Sequence, residues 1–211
     1  MAGHMVKPAA LLGAFALLGS ALVAVTFDNT EDRILENERL ALLASLNVLI
    51  PKSTYDNDLQ EDTLIIPNDY FLGTIEPMTV YRARKGGQPV AVVLSPIAPD
   101  GYNGRIKLLV AILDDGSLVG VRVISHKETP GLGDGIEAER SDWIQQFPGT
   151  SLESPEEELW KVKRDGGDFD QLTGATISPR AIVKAVKNTL LYYKERRDAL
   201  FAAPESEEDE N

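Results

Sequence analysis

The chain has 211 residues, no cysteine and a formal net charge of −12. That length suits one compact domain with accessories better than two full domains. The missing cysteines exclude disulfides, iron–sulfur ligation and thiolate nucleophiles. The negative charge argues against a nucleic-acid partner, which needs Lys and Arg clustered on a face.

In chain order, Met1 to Met5 hold a second methionine behind Gly3-His4 and read as a cloning remnant at the head of a short N-terminal segment, residues 1–8. From Ala9 to Phe27 there is no charged residue, close to the roughly 20 residues that cross ~30 Å of hydrocarbon as a helix. Gly13, Gly19 and Ser20 suit a membrane helix better than a soluble one. Lys7 precedes the run, and Asp28, Glu31 and Asp32 follow it. The positive flank stays in the cytoplasm, so the chain after Phe27 is expected outside. A cleaved signal peptide competes, but the run is long and the small-residue pattern near Ala24 is poor. A buried soluble helix competes too, and the missing polar face disfavours it.

Residues 28–72 read as a stalk helix and connector. Asn29 or Thr30 is expected to cap a helix carrying Ile34, Leu35, Leu42, Leu43, Leu46 and Leu49 at largely helical spacing until Pro51. Its apolar face packs on its own domain or on a partner subunit. Residues 73–201 form the main domain. Thr79 to Arg84, Gly86-Gly87 and Val90 to Leu94 predict one hairpin; Ile106 to Leu113, the turn 114–117 and Leu118 to Ser125 predict a second. Asp134 to Phe147 is expected as a helix presenting Ile136, Trp143, Ile144 and Phe147, and Leu159 to Lys163 as a short strand ended by Gly166-Gly167. Ser178 followed by Pro179 predicts a capped helix start, with Ile182, Val183, Val186, Leu190 and Tyr193 along one face. Residues 202–211 are expected as a solvated acidic tail, a docking tail being the alternative. The fold class expected is α+β: one N-terminal transmembrane helix, then antiparallel hairpins with flanking helices.

The chemically informative segment is Asp170-Gln171-Leu172-Thr173-Gly174-Ala175-Thr176, directly before that helix. It brings two hydroxyls and two minimal side chains to a helix N-terminus, where unpaired N–H groups and the dipole favour an anion. No histidine or cysteine adjoins Thr176 to activate it as a nucleophile. Phosphate binding is the functional reading, and a plain loop capping a helix is the bland one.

The same seven residues resemble the Asp-x-x-Ser/Thr-Gly-Ala-Thr signature of proteins modified by the periplasmic flavin transferase. Gly101-Tyr102-Asn103-Gly104-Arg105-Ile106 and His126-Lys127-Glu128-Thr129-Pro130-Gly131-Leu132-Gly133 resemble the same FMN-binding domain, in order and spacing, and the likeness spans roughly Gly73 to Tyr193. The layout is similar to the FMN-carrying G subunits (RnfG, also RsxG) of Rnf-type electron-transport complexes. Their longer relative, the NqrC subunit of sodium-pumping NADH:quinone reductase, shares the motifs. The resemblance implies covalent FMN, as a phosphoester on Thr176, and cofactor contacts from Glu128, Thr129, Leu132, Thr173, Gly174 and Ala175. It implies no catalytic residue and no metal.

It also implies a single-pass protein of the bacterial inner membrane with a periplasmic domain, matured by the flavin transferase. The partners implied are other membrane subunits of an Rnf-type complex, which couples ferredoxin/NAD redox chemistry to ion translocation. The chain relays electrons there and is not expected to catalyse alone. A free-standing flavin reductase is a rival reading, with only His126 or Glu128 placed for acid–base work. A binding module without cofactor is another. Lys163 and Lys184 could approach a phosphate, although surface lysines are the plainer reading; Asp170 suits recognition by the transferase. Trp143 and Trp160 read as core rather than flavin-stacking aromatics.

Overall fold

The computed structural model describes residues 3–202; the expected acidic tail lies outside the described residues apart from Ala202. The chain divides into two compact units, residues 1–44 and 45–211.

The described residues of the first unit lie within helix α1, Gly3–Leu49, whose final residues belong to the second unit. The helix starts inside the stretch set aside as a remnant and passes through Pro8. Val6–Phe27 is apolar and long enough to cross a membrane, with a mean hydropathy of 2.2. The expected new start at Asn29 or Thr30 does not occur. Asn29 Nδ2 donates to the Val25 carbonyl and Thr30 Oγ1 to that of Thr26. Both side chains thus bond back one turn inside an unbroken helix, which these residue types do when they are not capping. Of the expected apolar face, Ile34 is exposed, Leu42 and Leu43 are half-buried, and Leu46 and Leu49 are buried.

In the second unit six antiparallel strands form one sheet: β1 Thr63–Ile66, β2 Met78–Lys85, β3 Gln88–Leu94, β4 Ile97–Gly101, β5 Gly104–Leu113 and β6 Leu118–Ser125. Both hairpins form as the sequence predicts. Lys85 pairs with Gln88, so Gly86 and Gly87 alone make the first turn, with φ of 56° and 79°. Two successive positive φ values match the twist of the flanking strands and are cheap only for glycine. Strand β6 pairs with one edge of β5 over Lys107 to Ile112. The other edge is shared: β3 takes Val110 to Leu113 and β4 takes Gly104 to Lys107.

Alternation along the strands separates two faces. Val80, Val92, Leu94, Leu108, Val110 and Ile112 point into the main core. That core includes helix α2, Ile177–Phe201, which packs against β3, β4 and β5 and contributes Ile182, Val183, Val186, Leu190 and Tyr193 as predicted. Ala91, Val93, Leu109 and Ala111 are buried outside this cluster. So are Leu46, Leu49, Ile50, Tyr55 and Leu59. A Cβ on Gly120 of β6 would stand 3.1 Å from Leu49 Cδ2, which places the last turn of α1 against the sheet.

Two expected elements differ. Asp134 to Phe147 is not one helix but two 3-10 turns, Gly133–Ile136 and Asp142–Gln146. Ser141 separates them: its Oγ donates to the Gly135 carbonyl and accepts the Trp143 N–H. The side chains expected to face inward still do, since Ile136, Trp143, Ile144 and Phe147 are all buried. Leu159 to Lys163 makes only a bridge, Val162 with Phe169, flanked by 3-10 turns. Trp143, Phe147, Trp160 and Phe169 form one aromatic cluster, with ring centroids 4.7 to 6.4 Å apart along its contacts. Both tryptophans are therefore core. The outcome is the α+β arrangement expected, an N-terminal apolar helix and an antiparallel sheet domain with flanking helices.

Candidate functional site

The three sequence segments singled out above converge at the start of α2. Their junction is Glu128, buried at 5% exposure between them. Glu128 Oε1 accepts the backbone N–H of Asn103 at 3.1 Å, and Oε2 accepts the Ser178 hydroxyl at 2.5 Å. One carboxyl thus ties the β4–β5 turn, the turn after β6 and the first turn of α2 together. Two glycines make room for it. A Cβ on Gly101 would meet the Gly104 carbonyl oxygen at 2.3 Å and Glu128 Oε1 at 2.9 Å; one on Gly133 would lie 3.0 Å from Glu128 Oε2.

Ser178 was expected as the helix cap. It does not serve, because the helix already begins at Ile177 and Ser178 lies within its first turn, its hydroxyl donating to Glu128 inside the protein. The cap position falls on Thr176, whose backbone is already helical (φ −88°, ψ −24°) and whose side chain makes no capping bond. The first bond of the helix runs from Arg180 N–H to the Thr176 carbonyl. The N–H groups of Ile177 and Ser178 come before it, and Pro179 has none, so the helix's positive end has two donors without an intrahelical acceptor.

Thr173 and Gly174 form a tight turn closed by the Ala175 N–H on the Leu172 carbonyl, at 3.1 Å. Gly174 has φ +82°, which an L side chain rarely tolerates. Its nearest neighbour across space is Leu132 Cδ2, 3.6 Å from where a Cβ would stand. Thr129 Oγ1 accepts from Asn103 Nδ2 at 3.2 Å. Leu132, Thr173 and Gly174 are exposed, and Thr129, Ala175 and Thr176 half-buried, so only Glu128 among the expected contacts is buried. Exposed apolar side chains accompany them: Tyr102, Leu132 and Ile177, at 65%, 53% and 43% exposure.

The segment before Thr173 is fixed by residues that the sequence did not single out for this purpose. Asp170 N–H donates to Gln146 Oε1, and its carbonyl accepts Trp143 Nε1–H at 2.6 Å. The Asp170 carboxylate is exposed and paired with Lys163 at 2.7 Å. Lys184 pairs with Asp100 at 2.7 Å, a hydrogen bond that raises its pKa. Neither lysine contacts Thr176. The basic group that does approach is Arg164, whose Nη1 stands 3.5 Å from Thr176 Oγ1. No spacing rule marks Arg164; only the fold brings it there.

His126 is engaged on both ring nitrogens. Nδ1 accepts the Glu128 N–H at 2.9 Å, which assigns the proton to Nε2, 2.6 Å from Glu137 Oε1. Neither His126 nor Glu128 therefore presents a free acid–base group to a substrate.

Comparison with known proteins accords with this geometry. The family model described as FMN-binding domain matches residues 101–191, and that described as RnfG N-terminal region matches residues 1–49. The chain is 46% identical to the G subunit of the ion-translocating oxidoreductase complex of Pseudoalteromonas atlantica over 197 residues, 93% of this chain and 92% of the relative. It is 47% identical to the corresponding G subunit from Shewanella loihica over 204 residues, 97% of this chain and 96% of the relative. With the G subunit from Vibrio cholerae the figures are 44% over 198 residues and 94% of each chain. The chain therefore belongs to the family of G subunits of ion-translocating oxidoreductase complexes, and carries an FMN-binding domain that runs from the end of β4 into α2.

Proposed function

We propose that the chain is a membrane-anchored electron carrier that holds FMN as a phosphoester on Thr176. The observation that carries this reading is the Thr176 hydroxyl itself. It stands at the positive end of α2, makes no capping bond and is half-buried beside a glycine turn. A phosphate esterified there would meet the N–H groups of Ile177 and Ser178, which have no acceptor among the described residues, and the dipole favours its charge.

Attachment is a phosphoryl transfer without redox change. Thr176 Oγ1 forms the new P–O bond, and the bond from that phosphorus to the nucleotide leaving group of a flavin dinucleotide breaks. The hydroxyl proton passes to a base of the flavin transferase, since among the described residues only Arg164, which is no base, bonds the Thr176 hydroxyl. Asp170, whose side chain is exposed while Trp143 anchors its carbonyl, suits recognition by that enzyme.

Once bound, the flavin supplies the redox chemistry, and the protein supplies position, access and electrostatics. Glu128 acts from beneath by fixing the Asn103 backbone and Ser178. Thr129, Leu132, Thr173, Gly174 and Ala175 are the residues that would hold the flavin beside the turn, Leu132 lying against Gly174. The exposed Tyr102, Leu132 and Ile177 give an apolar bed at the surface, where a partner's redox group can come close. With His126 and Glu128 both committed inside the protein, turnover by the isolated chain is not expected.

The apolar stretch of α1 anchors the domain in the inner membrane, with Lys7 cytoplasmic and the sheet domain periplasmic. The names of the relatives support a place among other membrane subunits of an Rnf-type complex. Ferredoxin/NAD chemistry and ion movement then belong to those partners.

Peptide mass spectrometry of the full chain, coexpressed with a flavin transferase, tests the attachment. The reading expects the flavin phosphate on the peptide's Thr176. Its finding on Thr173, or a chain of unmodified mass beside a modified control protein, contradicts it.

A further inference from the structure

Arg164 sits in a 3-10 turn, Lys163–Asp165, directly across from the start of α2. Three contacts hold it there. The Arg164 N–H donates to Gln171 Oε1 at 3.2 Å, tying the turn to the Asp170–Thr176 segment. Asp165 takes a two-pronged bond from Arg180 on the first turns of α2, at 2.5 and 2.8 Å. Lys163 is paired with Asp170. The charges on either side of Arg164 are thereby neutralised by partners. Arg164 forms no ion pair among the described residues, and its Nη1 lies 3.5 Å from Thr176 Oγ1.

An arginine guanidinium is planar, permanently charged and shaped to bind two oxygens of a phosphate at once. Before modification its one side-chain hydrogen bond among the described residues is to a neutral hydroxyl. After modification the same position carries a diester with one negative charge and two free oxygens. Resting on the Thr176 reading above, we propose that Arg164 is the side chain that binds the phosphodiester of the flavin, with the Asp165–Arg180 and Lys163–Asp170 pairs holding it in place. The neighbours matter because they are saturated. Asp165 is hydrogen-bonded by Arg180, which, with the nearby charges of Arg180, Arg164 and Lys161, holds its carboxyl below the usual range; Arg164 feels that charge but makes no ion pair with it among the described residues. The pairing is formed by the modified protein and not by the unmodified one, which makes it separable from a structural role.

The test is a thermodynamic cycle on the full chain in detergent. Tm is measured with and without flavin loading for the wild type, Arg164→Ala and Arg164→Lys, and loading is counted by intact mass. The expected result is that Arg164→Ala leaves the unloaded Tm unchanged and loses most of the gain that loading brings. Arg164→Lys recovers part of it, as a point charge without the fork. Failure of Arg164→Ala to load, with loading kept in Arg164→Lys, also supports the proposal, because the charge is what the two variants do not share. An equal gain in all three proteins overturns it, as does an equal fall of loaded and unloaded Tm in Arg164→Ala. A wild-type chain that takes no flavin overturns the Thr176 reading and this pairing together; a loaded wild type whose gain ignores Arg164 overturns the pairing alone.

Discussion

Replacing Glu128 with alanine removes the one group that three segments share. Its carboxyl accepts two hydrogen bonds, from the Asn103 N–H and the Ser178 hydroxyl, and Ser178 is itself only 1% exposed. A bond to a charged group contributes about 1.5–3 kcal/mol, and a buried donor left alone costs about 1–3 kcal/mol. These figures overlap rather than add, so the loss is about 3 kcal/mol. For a chain of this size each kcal/mol moves Tm by roughly 2–4 °C, which gives a fall of about 6–12 °C. Glutamine at the same place tells the two halves of the argument apart. Its amide oxygen can keep the Asn103 N–H, and its NH2 can donate to Ser178, whose hydroxyl then reverses its role. Glu128→Gln is therefore expected to cost about 1 kcal/mol or less. Thermal unfolding followed by circular dichroism on the full chain reads both. An alanine variant within about 1 kcal/mol of wild type, or a glutamine variant as damaged as the alanine one, refutes the argument that Glu128 is a bonded tie.

Three further predictions follow from separate parts of the domain. Gly101→Ala places a Cβ 2.3 Å from a backbone oxygen and 2.9 Å from Glu128 Oε1; it is expected to cost more than about 1 kcal/mol in denaturant unfolding. Trp143→Phe keeps most of the aromatic contact but drops the 2.6 Å bond to the Asp170 carbonyl; faster amide exchange over the 170–176 turn is expected, at a stability cost of about 1 kcal/mol. Burial raises the Tyr193 hydroxyl to about 12 from 10.0. A raised folded pKa means that the neutral form is favoured by folding. Its contribution is full below pH 10 and is lost as pH rises through about 12. Tyr193→Phe should flatten the alkaline arm of the stability profile in that window.

How much was legible in the sequence depended on how local each cause is. The hairpins were, since Gly86-Gly87 and the 114–117 turn carry their own instructions. The site's three segments were too, each marked by glycines and hydroxyls in one short run. The start of α2 was not. Ser178-Pro179 has the local form of a cap, but the helix begins one residue earlier, at Ile177, and the Ser178 hydroxyl donates to Glu128, fifty residues back. Asn29 and Thr30 misled in the same way, because a residue suited to capping also bonds back within a continuous helix. Between Asp134 and Phe147 the apolar spacing gave the right buried residues and the wrong backbone, since Ser141 bonds across the break. Arg164 left no trace at all: its place depends on Asp165 meeting Arg180 on another element.

The most direct test of the central claim is flavin fluorescence in a denaturing gel, where only a covalent cofactor stays with the band. The full chain is coexpressed with a flavin transferase beside Thr176→Ala and Thr173→Ala. The account predicts a fluorescent band in the wild type and in Thr173→Ala, and none in Thr176→Ala. A dark wild-type band beside a glowing control protein, or a Thr176→Ala band as bright as wild type, would contradict it.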